Sequence, residues 1–195
     1  MSNNINYAKQ QIRKIIAQSS LPEDPKHADN TLEWLLKLQP DVDDALQLAA
    51  LSHDIDRVDE SRKVQRADFT DYDQFKAAHA HNSAVILREI LHAYHIEKSI
   101  IDDACQLVEQ HEVGGDTRTD LLKDADSISY FDVNMPLYFQ REGYAETLKR
   151  CIWGYKKLSI KMKEVCQKIT YADNELNKIL QETISLASQN KIKKK

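Results

Sequence analysis

Glycine and proline are scarce, four of each in 195 residues. That excludes the frequent turn punctuation of an all-β chain or of an α/β fold built on Gly-rich phosphate loops. Cysteine is nearly absent as well. Cys105, Cys151 and Cys166 are odd in number and form no C-x-x-C pair, which argues against a disulfide framework and against a thiolate zinc site, so a reducing compartment is expected. No run of eighteen apolar residues occurs, and the N-terminus has no basic stretch followed by an apolar one. Neither a membrane span nor a secretory leader is therefore expected, and the chain reads as cytoplasmic. Positive charge is not in excess either: a formal net charge of −4 supplies no cationic field for a nucleic acid polymer. The basic tail Lys191, Lys193, Lys194 and Lys195 reads as a frayed, solubilising end.

What is present is a hydrophobic fraction of 42%, enough to bury a core, arranged with helical period almost end to end. The spacing predicts helices over about 5–17, 26–38, from 43 to His53, 71–94, 97–112, from 119 onward, 144–170 and 174–188, about eight in all. Asp24 is a candidate cap before Pro25, Pro136 forces a break or kink, and 54–66 reads as a charged loop. No repeat and no linker-like segment marks a boundary, so a single all-α domain over 1–195 is expected.

Five of these helices place a histidine or an aspartate where an apolar residue belongs. His27 lies near the start of the second. The pair His53-Asp54 ends the third after Leu46, Ala49 and Ala50. His79 falls on the Val85-Ile86-Leu87-Ile90-Leu91 side of the fourth, whereas His81 points nearly opposite. His111 ends the Ile100-Ala104-Leu107 stripe of the fifth, and Asp126 shares a side with Leu122 and Ser129. Buried imidazoles and carboxylates are costly unless paired or coordinated, and convergence on a cation accounts for all of them together. Imidazole and carboxylate donors without thiolates suit Mn, Fe, Co, Ni or Zn. His81, His92 and His95 are expected outside the site, and Tyr130, Phe131, Tyr138 and Phe139 in the core or lining a pocket.

In this order, His27, then His53-Asp54 within Ala49-Ala50-Leu51-Ser52-His53-Asp54, then Asp126 within Leu121-Leu122-Lys123-Asp124-Ala125-Asp126, the chain resembles the HD superfamily of metal-dependent phosphohydrolases over about residues 22–135. The resemblance implies an HD-domain-like helical bundle with His27, His53, Asp54 and Asp126 as metal ligands. It also implies His79 and His111 as donors to a second ion or to substrate phosphate. Gln110 and Gly114-Gly115 stand where members acting on cyclic dinucleotides carry a second histidine and a Gly-Tyr-Pro element, and Ser127-Ile128 follows Asp126 where an Arg-Leu pair is common. The expected activity is hydrolysis of a small phosphorylated metabolite, such as a nucleotide, by water activated on one or two divalent ions. In that reaction Asp54 serves metal and water, and Asp56, Asp59 or Glu112 is a candidate to orient or deprotonate the nucleophile. Arg57, Lys76 and Lys123 are candidates to neutralise phosphate. Two alternatives stay open. One is a di-iron oxygenase using four histidines and two aspartates, as one branch of the superfamily does; the other is a non-catalytic ligand-binding domain. Neither a nucleic acid polymer nor a membrane is an expected partner.

Overall fold

The structure is a computed structural model that describes residues 2–189; the basic tail lies outside them. It is all-helical, with no strand among the described residues. The chain divides into two compact units, Met1–Ala125 and Asp126–Lys195. The division falls inside a helix, which is why no Pro-, Gly- or Ser-rich linker announces it.

In the first unit, α1 (Ser2–Ile16) buries Ile5, Ala8, Ile12 and Ile16, one residue per turn. Helix α2 (Glu23–Leu38) starts earlier than expected. Its cap position is Pro22, and Asp24 lies inside the first turn with its carboxylate accepting from Ser19 Oγ at 2.6 Å. The expected Asp24 cap is thus corrected: the side chain turns inward to other partners. Helix α3 (Asp44–Ser52) is capped by Asp43, which accepts from the Leu46 N–H at 2.9 Å. Ala45, Leu46 and every residue from 48 to 52 are buried, so α3 is apolar all round and forms the unit's centre against α1, α2 and α5.

Residues 54–66 are not all loop. Ile55–Arg57 forms a 3-10 turn packed on α4, with Ile55 and Asp56 buried. Helix α4 (Tyr72–Ala93) begins at Asp71, whose carboxylate accepts from the Gln74 N–H. It lies against α5 (Lys98–Gln110). Gly114, at φ +73°, turns the chain toward α6 (Thr117–Ser129) in a left-handed conformation that favours glycine. Asp116 opens α6 by accepting from the Arg118 and Thr119 N–H groups.

In the second unit the break expected near Pro136 takes the form of a π-helical stretch, Tyr130–Asn134, leading into α7 (Met135–Lys157). Gly143 (φ 74°, ψ −175°) kinks α7. The single helix expected over 144–170 is two. Ser159 ends the extended break after Lys157 and caps α8 (Ile160–Cys166) by accepting from the Met162 N–H, and a capping serine in mid-pattern is the signal for that interruption. Helix α9 (Asn174–Gln189) packs on α7.

Candidate metal centre

Two helices of the first unit end in the same way. His53 occupies the C-terminal cap of α3 and His111 that of α5. Each Nδ1–H donates to the carbonyl three residues back, Ala50 at 2.9 Å and Val108 at 2.7 Å. A carbonyl can only accept, so these bonds satisfy open carbonyls of the last turn and fix the tautomer that presents an Nε2 lone pair. Both imidazoles are buried. His111 Nε2 has no hydrogen-bond partner, and Glu112 Oε1 lies 3.4 Å from it. A buried imidazole nitrogen without a hydrogen-bond partner is a donor that could hold a metal ion.

His27, one turn into α2, brings its Nε2 to 3.1 Å from that of His53. At metal–nitrogen bonds of ~2.1 Å, two ligand atoms on one ion stand ~3.0–3.4 Å apart for right-angle to tetrahedral geometry. Asp54 Oδ2 lies 3.7 Å from His27 Nε2 and 3.6 Å from His53 Nε2. Its other oxygen, Oδ1, lies 2.6 Å from His79 Nε2. The Asp54 carboxylate therefore faces two donor groups at once. One is the pair His27 and His53; in the other, Asp54, His79 and His111 each offer an atom, all within 4.8 Å of one another. Asp126 is the first residue after the division between units, on the same helix as Leu122 and Ala125.

The charges agree with this placement. Burial pushes the Asp54 carboxyl upward, but Arg57, His53 and His79 outweigh it and hold the group well below the ordinary carboxylate value. Burial likewise disfavours the His79 cation, yet bonds to Asp54 and Asp56 raise its pKa above 6.5. Asp24 is raised by burial, against the pull of Arg57 and Ser19.

The remaining sequence candidates separate into three places. Asp56 is wholly buried rather than a solvated loop charge: it holds His79 Nδ1, accepts from the Val64 N–H at 3.3 Å, and donates its own N–H to Ser83 Oγ. With its oxygens facing the imidazole and the backbone, it orients His79. Arg57 lies at the site, Nη1 2.8 Å from Asp54 Oδ2 and 3.6 Å from Asp24 Oδ1. Lys76, also buried, pairs with Glu112 beside His111. Asp59 stays on the surface, accepting from Ser61. Lys123 is committed to the turn before α6, donating to the Val113 carbonyl at 3.0 Å and pairing with Asp120 at 2.9 Å. His81 is exposed and paired with Glu109, and His92 and His95 are exposed. Tyr130 and Phe131 are core residues, Tyr138 and Phe139 half-buried. Sequence reasoning missed Asp24 as a neighbour of the site; its spacing of three from His27, matched by Arg57 three after Asp54, is the signal that points to it.

No helix of the described residues is long and apolar enough to cross a membrane. No curated protein and no solved structure matches the chain. One family model does, over residues 3–180, and by it the chain belongs to the family described as a domain of unknown function, DUF4202.

Proposed function

We propose that the protein is a metal-dependent phosphohydrolase of the HD type acting on a small phosphorylated metabolite. The observation that carries the reading is the Asp54 carboxylate, one oxygen toward His27 and His53 and the other toward His79. A carboxylate so shared suits one or two divalent ions of the Mn, Fe, Co, Ni or Zn class, with no thiolate among the donors. Such an ion, when bound, supplies Lewis-acid polarisation of a phosphoryl group and lowers the pKa of water toward neutrality.

The chain's own residues divide the remaining work. His53 and His111 are locked by backbone carbonyls and His79 by Asp56, so the donor set is preorganised. Arg57, partly exposed beside Asp54, and Lys76, beside His111, neutralise phosphate charge at the two ends of the site. Glu112, next to the unpartnered His111 nitrogen, is the carboxylate best placed to take a proton from the nucleophile once phosphate draws Lys76 away.

The test is metal analysis of purified protein, then phosphate release from nucleotides and sugar phosphates after stripping and reloading with each ion. Release that needs the ion and disappears in Asp54→Ala supports the reading; release indifferent to both rejects it. Imidazole and carboxylate donors of this kind also suit a di-iron oxygenase. Iron content with oxygen uptake on substrate addition would favour that alternative, and retention of a redox-inert ion with phosphate release would exclude it. Failure to retain any divalent ion after reloading points to the non-catalytic reading.

A further inference from the structure

Beside the donor set, the first turn of α4 and the segment before it carry a group of aromatic rings. Phe75, four residues before His79, stacks on its imidazole with ring centroids 6.3 Å apart and planes 29° apart. Tyr72 lies 5.9 Å from Phe75 and is 37% exposed; Phe69 lies 6.0 Å from Phe75. Arg66 sits over this group, 5.5 Å from the Tyr72 ring and 5.8 Å from Phe75. Among the described residues Arg66 makes no ion pair: its guanidinium contacts these rings and the Phe69 carbonyl. Its neighbour Arg62, by contrast, is fully engaged by both oxygens of Glu89. An uncompensated planar cation on one exposed and two half-buried aromatic rings, one ring away from a candidate ligand, is a stacking surface with spare positive charge.

We propose that Arg66, Tyr72 and Phe75 form a subsite for the base of a nucleoside phosphate, whose phosphate reaches the Asp54, His79 and His111 donors. Rings and guanidinium offer faces that any nucleobase can stack on, while the phosphate is taken by the ion and by Arg57 and Lys76. A sugar phosphate without a base would forgo the platform. The inference rests on the phosphohydrolase site for its phosphate end only; the base end is independent of catalysis.

The experiment compares equilibrium binding of AMP and ribose 5-phosphate to the metal-loaded protein by calorimetry, in wild type and in Tyr72→Ala and Arg66→Ala. Both residues are exposed, so folding survives, and metal content is measured for each variant. One stacked base is worth about tenfold or more in affinity. AMP is therefore expected to bind wild type at least about tenfold tighter than ribose 5-phosphate, a ratio that falls toward one in both variants while metal content holds. Equal affinities in wild type, or a preference for AMP unchanged by both substitutions, overturns the subsite even if phosphate release is observed. A preference that collapses in the variants stands even if no phosphate is ever released. Binding of neither compound overturns this subsite and leaves the phosphohydrolase reading to the phosphate-release test.

Discussion

The two units bury opposite kinds of polar group. The first hides Asp24, His27, His53, Asp56, Lys76, His79 and His111 at 7% exposure or less. Among the described residues of the second, the buried polar side chains are uncharged: Ser129, Asn134, Thr147 and Thr183, with Tyr130, Tyr155, Cys151 and Cys166 in the core. Burial raises Tyr130, Cys151, Cys166 and Tyr171, which keeps them neutral. Neutral groups enter a core without the desolvation cost of a charge. Concentrating imidazoles, carboxylates and an ammonium in one small core costs several kcal/mol per uncompensated ion, and such an arrangement persists where a function requires it.

The sharpest way to break this contrast is Asp54→Ala. The carboxylate faces His27, His53, His79 and Arg57, so its loss leaves several cationic or lone-pair groups without their shared counter-charge. Metal affinity is expected to fall by more than about 100-fold, beyond the ~10–100-fold typical of residues that only orient a ligand. Elemental analysis after dialysis checks it, and full metal retention would place the ion elsewhere.

Asp56→Asn probes the next layer. The amide preserves shape, so the expected loss is ~10–100-fold in metal affinity, with partial retention of metal. A deficit as large as that of Asp54→Ala would make Asp56 a ligand itself rather than the residue that holds His79 Nδ1.

The pH dependence has two signs to separate. His79 is raised in the folded protein, so its contribution to metal-free stability is fully present below pH 6.5 and lost as pH rises through the raised value. Asp54 is lowered, so its contribution is present above the ordinary carboxylate range and lost as pH falls through the depressed value. An ion bound through His79 Nε2 would displace its proton, and apparent affinity should therefore climb by up to about tenfold per pH unit until the raised pKa is passed. Metal titrations across pH 5–9 in wild type and His79→Gln test this; an identical slope in the variant would assign the proton to another group.

Much of this was legible in the sequence because helical phase converts spacing into direction. Ile5, Ala8, Ile12 and Ile16 turned out buried, and the same arithmetic separated His79 from His81 by facing. Phase does not report what lies across the core. The burial of Asp56 was hidden in a charged run because a 3-10 turn of one turn's length has no period to detect. The commitment of Lys123 to Asp120 and Val113 was hidden for a related reason: it depends on the left-handed turn at Gly114, which no apolar pattern encodes. Asp24 looked like a cap because a carboxylate before Pro25 usually is one, and its true neighbour, Arg57, is 33 residues away in the chain.

In the second unit, Tyr171→Phe tests packing. The hydroxyl donates to the Phe131 carbonyl and lies 3.2 Å from Met135 Sδ. Its removal is expected to cost about 1 kcal/mol, read as a lower thermal midpoint, with metal content unchanged. A change in metal content would mean that the contrast between the units is not one between function and packing.

The smallest expected effect is no effect at all, in thiol labelling. Burial lifts Cys105 and Cys151 to about 11 and Cys166 to about 12, and all three are 2% exposed or less. At pH 8 a thiol of pKa about 11 is roughly one thousandth thiolate, and an inaccessible sulfur adds a steric barrier to that deficit. A disulfide-exchange reagent should therefore react with none of them in the folded protein and with all three in denaturant. Cys105 belongs to the first unit, which also buries the histidines and carboxylates, so it is the thiol that sharpens the comparison. Slow labelling of Cys105 alone, accelerated by removing the ion, would tie the opening of α5, which ends in His111, to the state of the metal centre. Labelling of none, with or without the ion, keeps that helix closed and confines the metal's influence to the side chains that face it.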